Sequence, residues 1–130
     1  MSEQNGLGVA IPEVLLPEAK VNLRKWAVIA CDQYTSKPEY WYDVQRTVGN
    51  APSTLHMILP EAYLNDPESA ENIEHIKKNM QAYVENGVLA QLPKGIVLVE
   101  RTTPKGRRKG LVVAIDLEEY GFEPGSKSLI

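Results

Sequence analysis

The residues best placed for ligand chemistry in the first half of the chain form one polar segment, Cys31-Asp-Gln-Tyr-Thr-Ser36. Asp32 can accept a proton or hold a hydroxyl group, and Tyr34 and Thr35 can donate hydrogen bonds. Ser36 precedes a predicted helix, whose N-terminus could meet an anion. The alternative is structural, because Asp32 and Ser36 could instead satisfy backbone N–H groups of the loop and the helix cap. We predict ligand-binding roles for Asp32, Tyr34, Thr35 and Ser36 and keep this alternative open.

A nucleophilic role for Cys31 would need a histidine base nearby, and the sequence contains only His56 and His75. His56 alternates with apolar neighbours in a predicted strand, and His75 lies beside the apolar stripe of a predicted helix. We therefore interpret both histidines as structural or solvated. Two histidines cannot by themselves form a zinc site. The sequence predicts no metal site and leaves the catalytic residues unknown.

A cluster of cations is the second candidate. Six of the chain's 14 basic residues lie close together: Lys94, Arg101, Lys105, Arg107, Arg108 and Lys109. Because arginine side chains match phosphate oxygens in a bidentate manner, we predict phosphate-binding roles for Arg101, Arg107 and Arg108. A solvated hairpin tip that resists edge-to-edge pairing is the alternative. The net charge of −3 and the lack of interleaved aromatic residues argue against nucleic-acid binding.

Two short apolar runs should position the polar segment. Trp26–Cys31 is a short, continuous apolar run, a pattern typical of a strand covered on both faces. The segment 55–59 is short, apolar and halted by Pro60, which favours a strand over a helix. Ligand-contacting residues of open α/β sheets gather at the carboxyl ends of strands, which is where residues 31–36 would then lie.

A helix is predicted over about residues 37–48. Ser36 and Glu39 have the spacing of a capping box, and Pro38 falls in the first turn, where its missing N–H costs nothing. Gly49 supplies a C-terminal stop. The loop residues would therefore sit between a strand and a helix N-terminus.

A second helix and a hairpin complete the pattern. The helix should begin near Asp66-Pro67-Glu68 and end at Gly87. Its apolar stripe consists of Ile73, Ile76, Met80, Tyr83 and Val84. Residues 95–103 and 110–116 read as two strands around a Pro-Lys-Gly turn, which predicts an antiparallel hairpin. The expected fold is α/β or α+β, a mixed sheet with two main helices and a C-terminal antiparallel hairpin.

Length and composition bound the class of protein. A chain of 130 residues with 43% hydrophobic residues is typical of one globular domain, which we place at residues 13–130 behind a flexible tail, 1–12. A single cysteine excludes an intrachain disulfide, and neither a signal peptide nor a membrane span is recognisable. We predict a cytoplasmic protein. The abrupt ending after Glu123-Pro-Gly suggests the N-terminal piece of a longer protein, with homo-oligomerisation through exposed apolar faces.

Four strings resemble the N-terminal region of the family called domain of unknown function 1015. They are Trp26-Ala-Val-Ile-Ala-Cys-Asp-Gln-Tyr-Thr-Ser36, Pro38-Glu-Tyr-Trp41, Ala51-Pro-Ser-Thr-Leu-His-Met-Ile-Leu-Pro-Glu61 and Arg108-Lys-Gly-Leu-Val-Val-Ala-Ile-Asp-Leu-Glu-Glu-Tyr120. The resemblance runs from about Ile11 onwards, and it implies a second region with an Asp-Gly-x-His type motif that this chain lacks.

Through this motif the family resembles proteins with the ParB-like fold, whose relatives include kinases that phosphorylate free serine. The resemblance thus implies a domain of an ATP-dependent kinase of a small, amino-acid-like metabolite, with ATP and magnesium as cofactors of the full-length protein. Asp32, Tyr34 and Thr35 would border the cleft, and Arg101, Arg107 or Arg108 would steady phosphates. The alternative is a ligand-binding or protein-interaction module without chemistry, because fold does not fix function.

Overall fold

The computed structural model of the chain describes residues 8–126. The chain forms two compact units, one made of Met1–Leu15 with Gln91–Ile130 and the other of Leu16–Ala90. Leu15–Pro17 (β2) pairs with Leu89–Gln91 (β3), where the chain passes from the first unit to the second and back.

The Leu16–Ala90 unit is mainly helical. Its helices are Leu23–Trp26 (α1), Pro38–Val48 (α2) and Ser69–Glu85 (α3), with 3-10 helices at Thr54–Met57 and Glu61–Tyr63. Trp41, Val48, Leu55 and Tyr63 are buried together at its centre. Trp41 is fully buried, and its Nε1–H donates to the Gln33 carbonyl at 3.2 Å, so the loop before α2 is fastened to the core.

The prediction of α2 is confirmed at both ends. Pro38 occupies the first turn, and Gly49 ends the helix with a φ of 58°, a backbone conformation that favours glycine. The predicted capping box is wrong. Lys37 is the N-cap residue, no side chain bonds to the first turn, and Ser36 makes no side-chain hydrogen bond in the part of the chain that the structure describes.

The strand predicted at Trp26–Cys31 is wrong. Trp26 ends α1, and residues 27–30 belong to neither a helix nor a strand before the turns at 31–36. Side chains take the place of a neighbouring strand, because the Trp26 carbonyl accepts hydrogen bonds from Ser53 Oγ at 3.2 Å and Thr54 Oγ1 at 2.8 Å. The Cys31 carbonyl accepts one from the Glu61 N–H. Buried backbone groups need partners, and here the partners lie far along the sequence.

The strand predicted at residues 55–59 is wrong as well, since Thr54–Met57 is a 3-10 helix. Ser53 caps this helix: its buried Oγ accepts the Leu55 N–H at 3.1 Å while donating to Trp26. A short apolar run has no periodicity that separates a strand from a buried turn of helix.

The long helix predicted behind residues 66–68 is confirmed as α3, but its predicted stripe is divided. Ile73, Met80 and Val84 are exposed. The neighbouring face carries Asn79, which donates to the His56 carbonyl, and Tyr83, which accepts the Ser53 N–H.

The remaining unit is built from strands. Val9–Ala10 (β1) pairs with Ala114–Ile115 (β6), and Val97–Thr103 (β4) pairs with Gly106–Val112 (β5), both antiparallel. Pro104 and Lys105 form the two-residue turn of the β4–β5 hairpin. Two main helices, small antiparallel sheets and a C-terminal hairpin confirm the predicted class, a fold of mixed α and β elements. Within residues 8–126, no helix has both the length and the apolar character that crossing a membrane requires.

Candidate functional site

The β4–β5 hairpin sorts its charges onto two faces. Antiparallel residues that lie opposite each other share a face, and successive residues alternate between faces. Arg101 lies opposite Arg108, whereas Glu100 lies opposite Lys109. The hairpin therefore has an arginine face, which includes Arg101, Thr103 and Arg108, and a glutamate face, which includes Glu100, Arg107 and Lys109.

The arginine face places two like charges directly opposite each other. Arg101 and Arg108 form no ion pair with any described residue. With Thr103 and Lys105 they line a groove of about 410 Å³ at the hairpin end. Like charges that lie opposite each other on paired strands destabilise a hairpin. An anion bound between Arg101 and Arg108 would offset the repulsion between their two positive charges.

On the glutamate face the charges are paired. Glu100 forms ion pairs with Arg107 Nε at 3.5 Å and with Lys109 Nζ at 3.8 Å. Arg107 also lines the groove, but its guanidinium is engaged by Glu100. Of the three predicted phosphate-binding residues, Arg107 forms an ion pair with Glu100. Arg101 and Arg108 form no ion pair with any described residue.

The polar segment 31–36 is an exposed series of turns in the Leu16–Ala90 unit. Asp32, Thr35 and Ser36 are exposed, and within residues 8–126 their side chains form no hydrogen bond. Tyr34 has a φ of 51°, which is uncommon for a residue other than glycine. Its ring stacks on Tyr40 with the ring centroids 4.1 Å apart. The predicted position at the end of a strand is wrong, because no strand precedes the segment, and its ligand-binding role stays a prediction.

The histidines carry interactions that the sequence did not reveal. His56 Nδ1 lies 2.8 Å from Tyr83 Oη, and the His56 carbonyl accepts a hydrogen bond from Asn79 Nδ2 at 3.0 Å. His75 is exposed, with Nε2 3.8 Å from Glu71. Both histidines line one cavity beside α3. The available signal was the spacing of Asn72, His75 and Asn79, which places polar side chains on one side of a helix.

No group of three or more histidine, cysteine, aspartate or glutamate side chains suited to a metal ion occurs among residues 8–126. The side chains gathered at the hairpin groove and at the cavity are suited to binding anions and polar organic groups instead.

Fold and sites together define a chain of mixed α and β elements with a cationic hairpin. The family model described as "Protein of unknown function (DUF1015)" matches residues 13–125, and the chain belongs to this family. Comparisons with curated proteins and with solved structures found no match. The more distant likeness to the ParB-like fold stays a prediction.

Proposed function

We propose that the arginine face binds phosphate groups of a small-molecule ligand. The opposition of Arg101 and Arg108 without a carboxylate partner carries this proposal. Guanidinium groups are permanently charged and donate paired hydrogen bonds to phosphate oxygens. Thr103 and Lys105, which also line the groove, add a hydroxyl group and an ammonium group.

The wider proposal is that the chain is a domain of an ATP-dependent kinase acting on a small, amino-acid-like metabolite. In that reaction a substrate hydroxyl oxygen bonds to the γ-phosphorus, the bond to the β–γ bridging oxygen breaks, and ADP and a proton leave. The family resemblance and the arginine face support this proposal. Within the Leu16–Ala90 unit, Asp32, Tyr34, Thr35 and Ser36 are proposed as ligand-binding residues, because their polar groups are exposed.

Binding of ATP, ADP and inorganic phosphate, measured by thermal shift and calorimetry with and without magnesium, tests the first proposal. Replacement of both Arg101 and Arg108 by Gln should weaken ATP binding by at least about tenfold, the scale of one lost charged hydrogen bond. Lys109→Gln is the matched control, because it removes a charge from the glutamate face of the same hairpin. An equal loss in the control, or no binding of any phosphate compound by the unmodified chain, would overturn the proposal.

A ligand-binding or protein-interaction module without chemistry is the second candidate. Exposed apolar side chains on the hairpin, with Leu98 57% and Leu111 61% accessible, favour a role in contacts. ATP binding without ADP formation, in the presence of a panel of free amino acids, would support this candidate against the kinase.

A further inference from the structure

Within residues 8–126, no other element covers the β4–β5 hairpin. All seven residues of β5 and six of the seven residues of β4 are exposed. Apolar side chains are exposed on both faces, Leu98 and Leu111 on one and Val99 on the other. A hairpin of two strands is marginally stable in water unless a further strand or a helix packs on it. A third strand added to this sheet would therefore stabilise it.

The outer edge of β5, which is the edge that does not pair with β4, is open to such a strand. β4 and β5 form a sheet of two strands, and no hydrogen bond joins residues 107–112 to a described residue outside the hairpin. On an edge strand, alternate residues direct their N–H and C=O groups away from the paired neighbour. Proteins recognise extended peptides through main-chain groups of this kind.

The charges of the hairpin select the kind of strand. Residues 97–112 contain five basic residues and one acidic residue, a formal charge of +4 in a chain whose net charge is −3. Three of the cations are consecutive in β5, namely Arg107, Arg108 and Lys109. Arg108 forms no ion pair with any described residue, and Arg107 and Lys109 share the one carboxylate of Glu100. Carboxylates on an added strand would be attracted to these cations, because they become cross-strand neighbours.

Two other occupants fit this edge less well. Full-length antiparallel pairing of β5 with a second copy of itself would place the two copies of Lys109 opposite each other, and like charges in that position destabilise the pairing. A nucleic acid would supply anions, but residues 97–112 contain no aromatic side chain to stack on its bases. An acidic polypeptide satisfies both the main-chain groups and the cations of β5.

We propose that β5 binds an acidic, extended segment of a partner protein, which adds to its outer edge as a third strand. This binding uses main-chain groups and the cations of β5, whereas the phosphate binding proposed above also needs Arg101 of β4. The two proposals can therefore fail separately.

Titration of the chain with a seven-residue peptide of alternating glutamate and valine, followed by calorimetry and amide NMR, tests the proposal. The length matches β5, and the alternation places all carboxylates on one face. Binding should be saturable and should slow hydrogen exchange in β5 without changing it in α3. Two control peptides carry lysine in place of glutamate or a methyl group on alternate backbone nitrogens. Each should bind at least about tenfold more weakly, because one loses the attraction between charges and the other the main-chain hydrogen bonds.

Variants of the chain separate the edge of β5 from the arginine face. Replacement of Arg107, Arg108 and Lys109 together by Gln should weaken binding of the acidic peptide at least about tenfold. Arg101→Gln combined with Lys105→Gln is the matched control, because it removes two cations of the hairpin that lie outside β5. This control should weaken peptide binding less than about threefold, since exposed charges that do not adjoin the added strand contribute little.

Selective loss in the β5 variant and in both control peptides supports the proposal. Equal affinity of the N-methylated peptide, or equal loss in the two variants, would overturn strand addition, because attraction between charges alone would then explain binding. Tighter binding of a single-stranded oligonucleotide would assign the edge to nucleic acid, and slow exchange in β5 without peptide at high protein concentration would assign it to a second copy. No binding of the acidic peptide by the unmodified chain would also overturn the proposal.

Discussion

Two tyrosines show how much one hydroxyl group depends on its surroundings. Tyr83 Oη accepts the Ser53 N–H and lies 2.8 Å from His56 Nδ1, so its hydroxyl joins α3 to residues 53–57. Tyr63 is more deeply buried, and its hydroxyl has no partner within residues 8–126. The first hydroxyl stabilises the fold, and the second costs it free energy.

Tyr63→Phe should therefore raise the free energy of unfolding by about 1 kcal/mol, because the unsatisfied hydroxyl is removed and the ring remains. Tyr83→Phe should lower it by about 1–2 kcal/mol, because two hydrogen-bond partners are left unpaired. Urea unfolding monitored by circular dichroism gives both values. A loss of stability in Tyr63→Phe would mean that its hydroxyl has a stabilising partner.

Alkaline pH provides a separate test of the same residue. The folded pKa of Tyr63 is about 12, against an ordinary value of 10.0. Above pH 10 the unfolded chain loses this proton before the folded chain does, so folding stability falls between pH 10 and pH 12. Tyr63→Phe should remove that contribution, of the order of 2 kcal/mol at pH 12. Between pH 9 and pH 11.5 the urea midpoint of the unmodified chain should fall more than that of Tyr63→Phe. An equal fall in both proteins would contradict the raised pKa of Tyr63.

At the scale of elements, Ser53 is the residue that replaces a predicted strand partner. Its Oγ caps Thr54–Met57 and donates to the Trp26 carbonyl, and both contacts are buried. Ser53→Ala should cost about 2 kcal/mol of unfolding free energy. Ser36→Ala should change it by less than about 0.5 kcal/mol, because the predicted capping box does not form. Equal effects in urea titrations would contradict the capping role of Ser53.

The hairpin should show a conflict between stability and binding. Arg108→Glu places opposite charges across from each other at Arg101, which should stabilise the hairpin by about 0.5–1 kcal/mol at low salt while abolishing phosphate binding. Lys109→Glu is the control of opposite sign. It places a like charge opposite Glu100 and should therefore destabilise the hairpin. Both changes should shrink in 0.5 M NaCl, because salt screens exposed charges. Thermal unfolding at the two salt concentrations measures them.

Local sequence signals predicted the two main helices correctly. The strand predictions were wrong because these segments form contacts with residues far away in the sequence. Pro38 and Gly49 fix the ends of α2 by their own backbone preferences. Trp26–Cys31 has a strand-like composition, but the groups that donate to its carbonyls, on Ser53, Thr54 and Glu61, lie almost thirty residues away, which no local pattern reveals. The candidate sites divide in the same way. Side chains of a strand alternate between two faces, so the arginine face of the hairpin can be predicted once the turn is located. The cavity beside α3 could not be predicted, because His56 lies in a 3-10 helix and not in the predicted strand.

At the scale of the whole molecule, composition and pattern were sufficient for the fold class and the family, and both are confirmed. The single domain expected over residues 13–130 stays a prediction beside the two compact units of the structure. Continuous apolar runs do not state which parts of the chain they will contact, so the division of the chain could not be read from them.

Exposed apolar residues predict self-association through the hairpin. Leu98 and Leu111 lie opposite each other on the glutamate face, and both are more than half exposed. Replacement of both by Lys should shift the chain toward monomer in multi-angle light scattering at high concentration. Replacement of Ile73 and Met80 on the exposed side of α3 is the control, and loss of association only there would assign the interface to α3 instead.

The pairing of β2 with β3 has a consequence for how the chain can be rearranged. Within the Leu16–Ala90 unit the Glu18 N–H donates to the Val88 carbonyl at 2.9 Å, so the entry and exit of this unit lie side by side. In the remaining segments the Leu92 N–H donates to the Val14 carbonyl at the same distance. Residues 16–90 could therefore be removed as one piece, and residues 15 and 91 could be joined by a short linker. Insertions and exchanges of whole modules are tolerated at such junctions, because neither piece must stretch to close the gap.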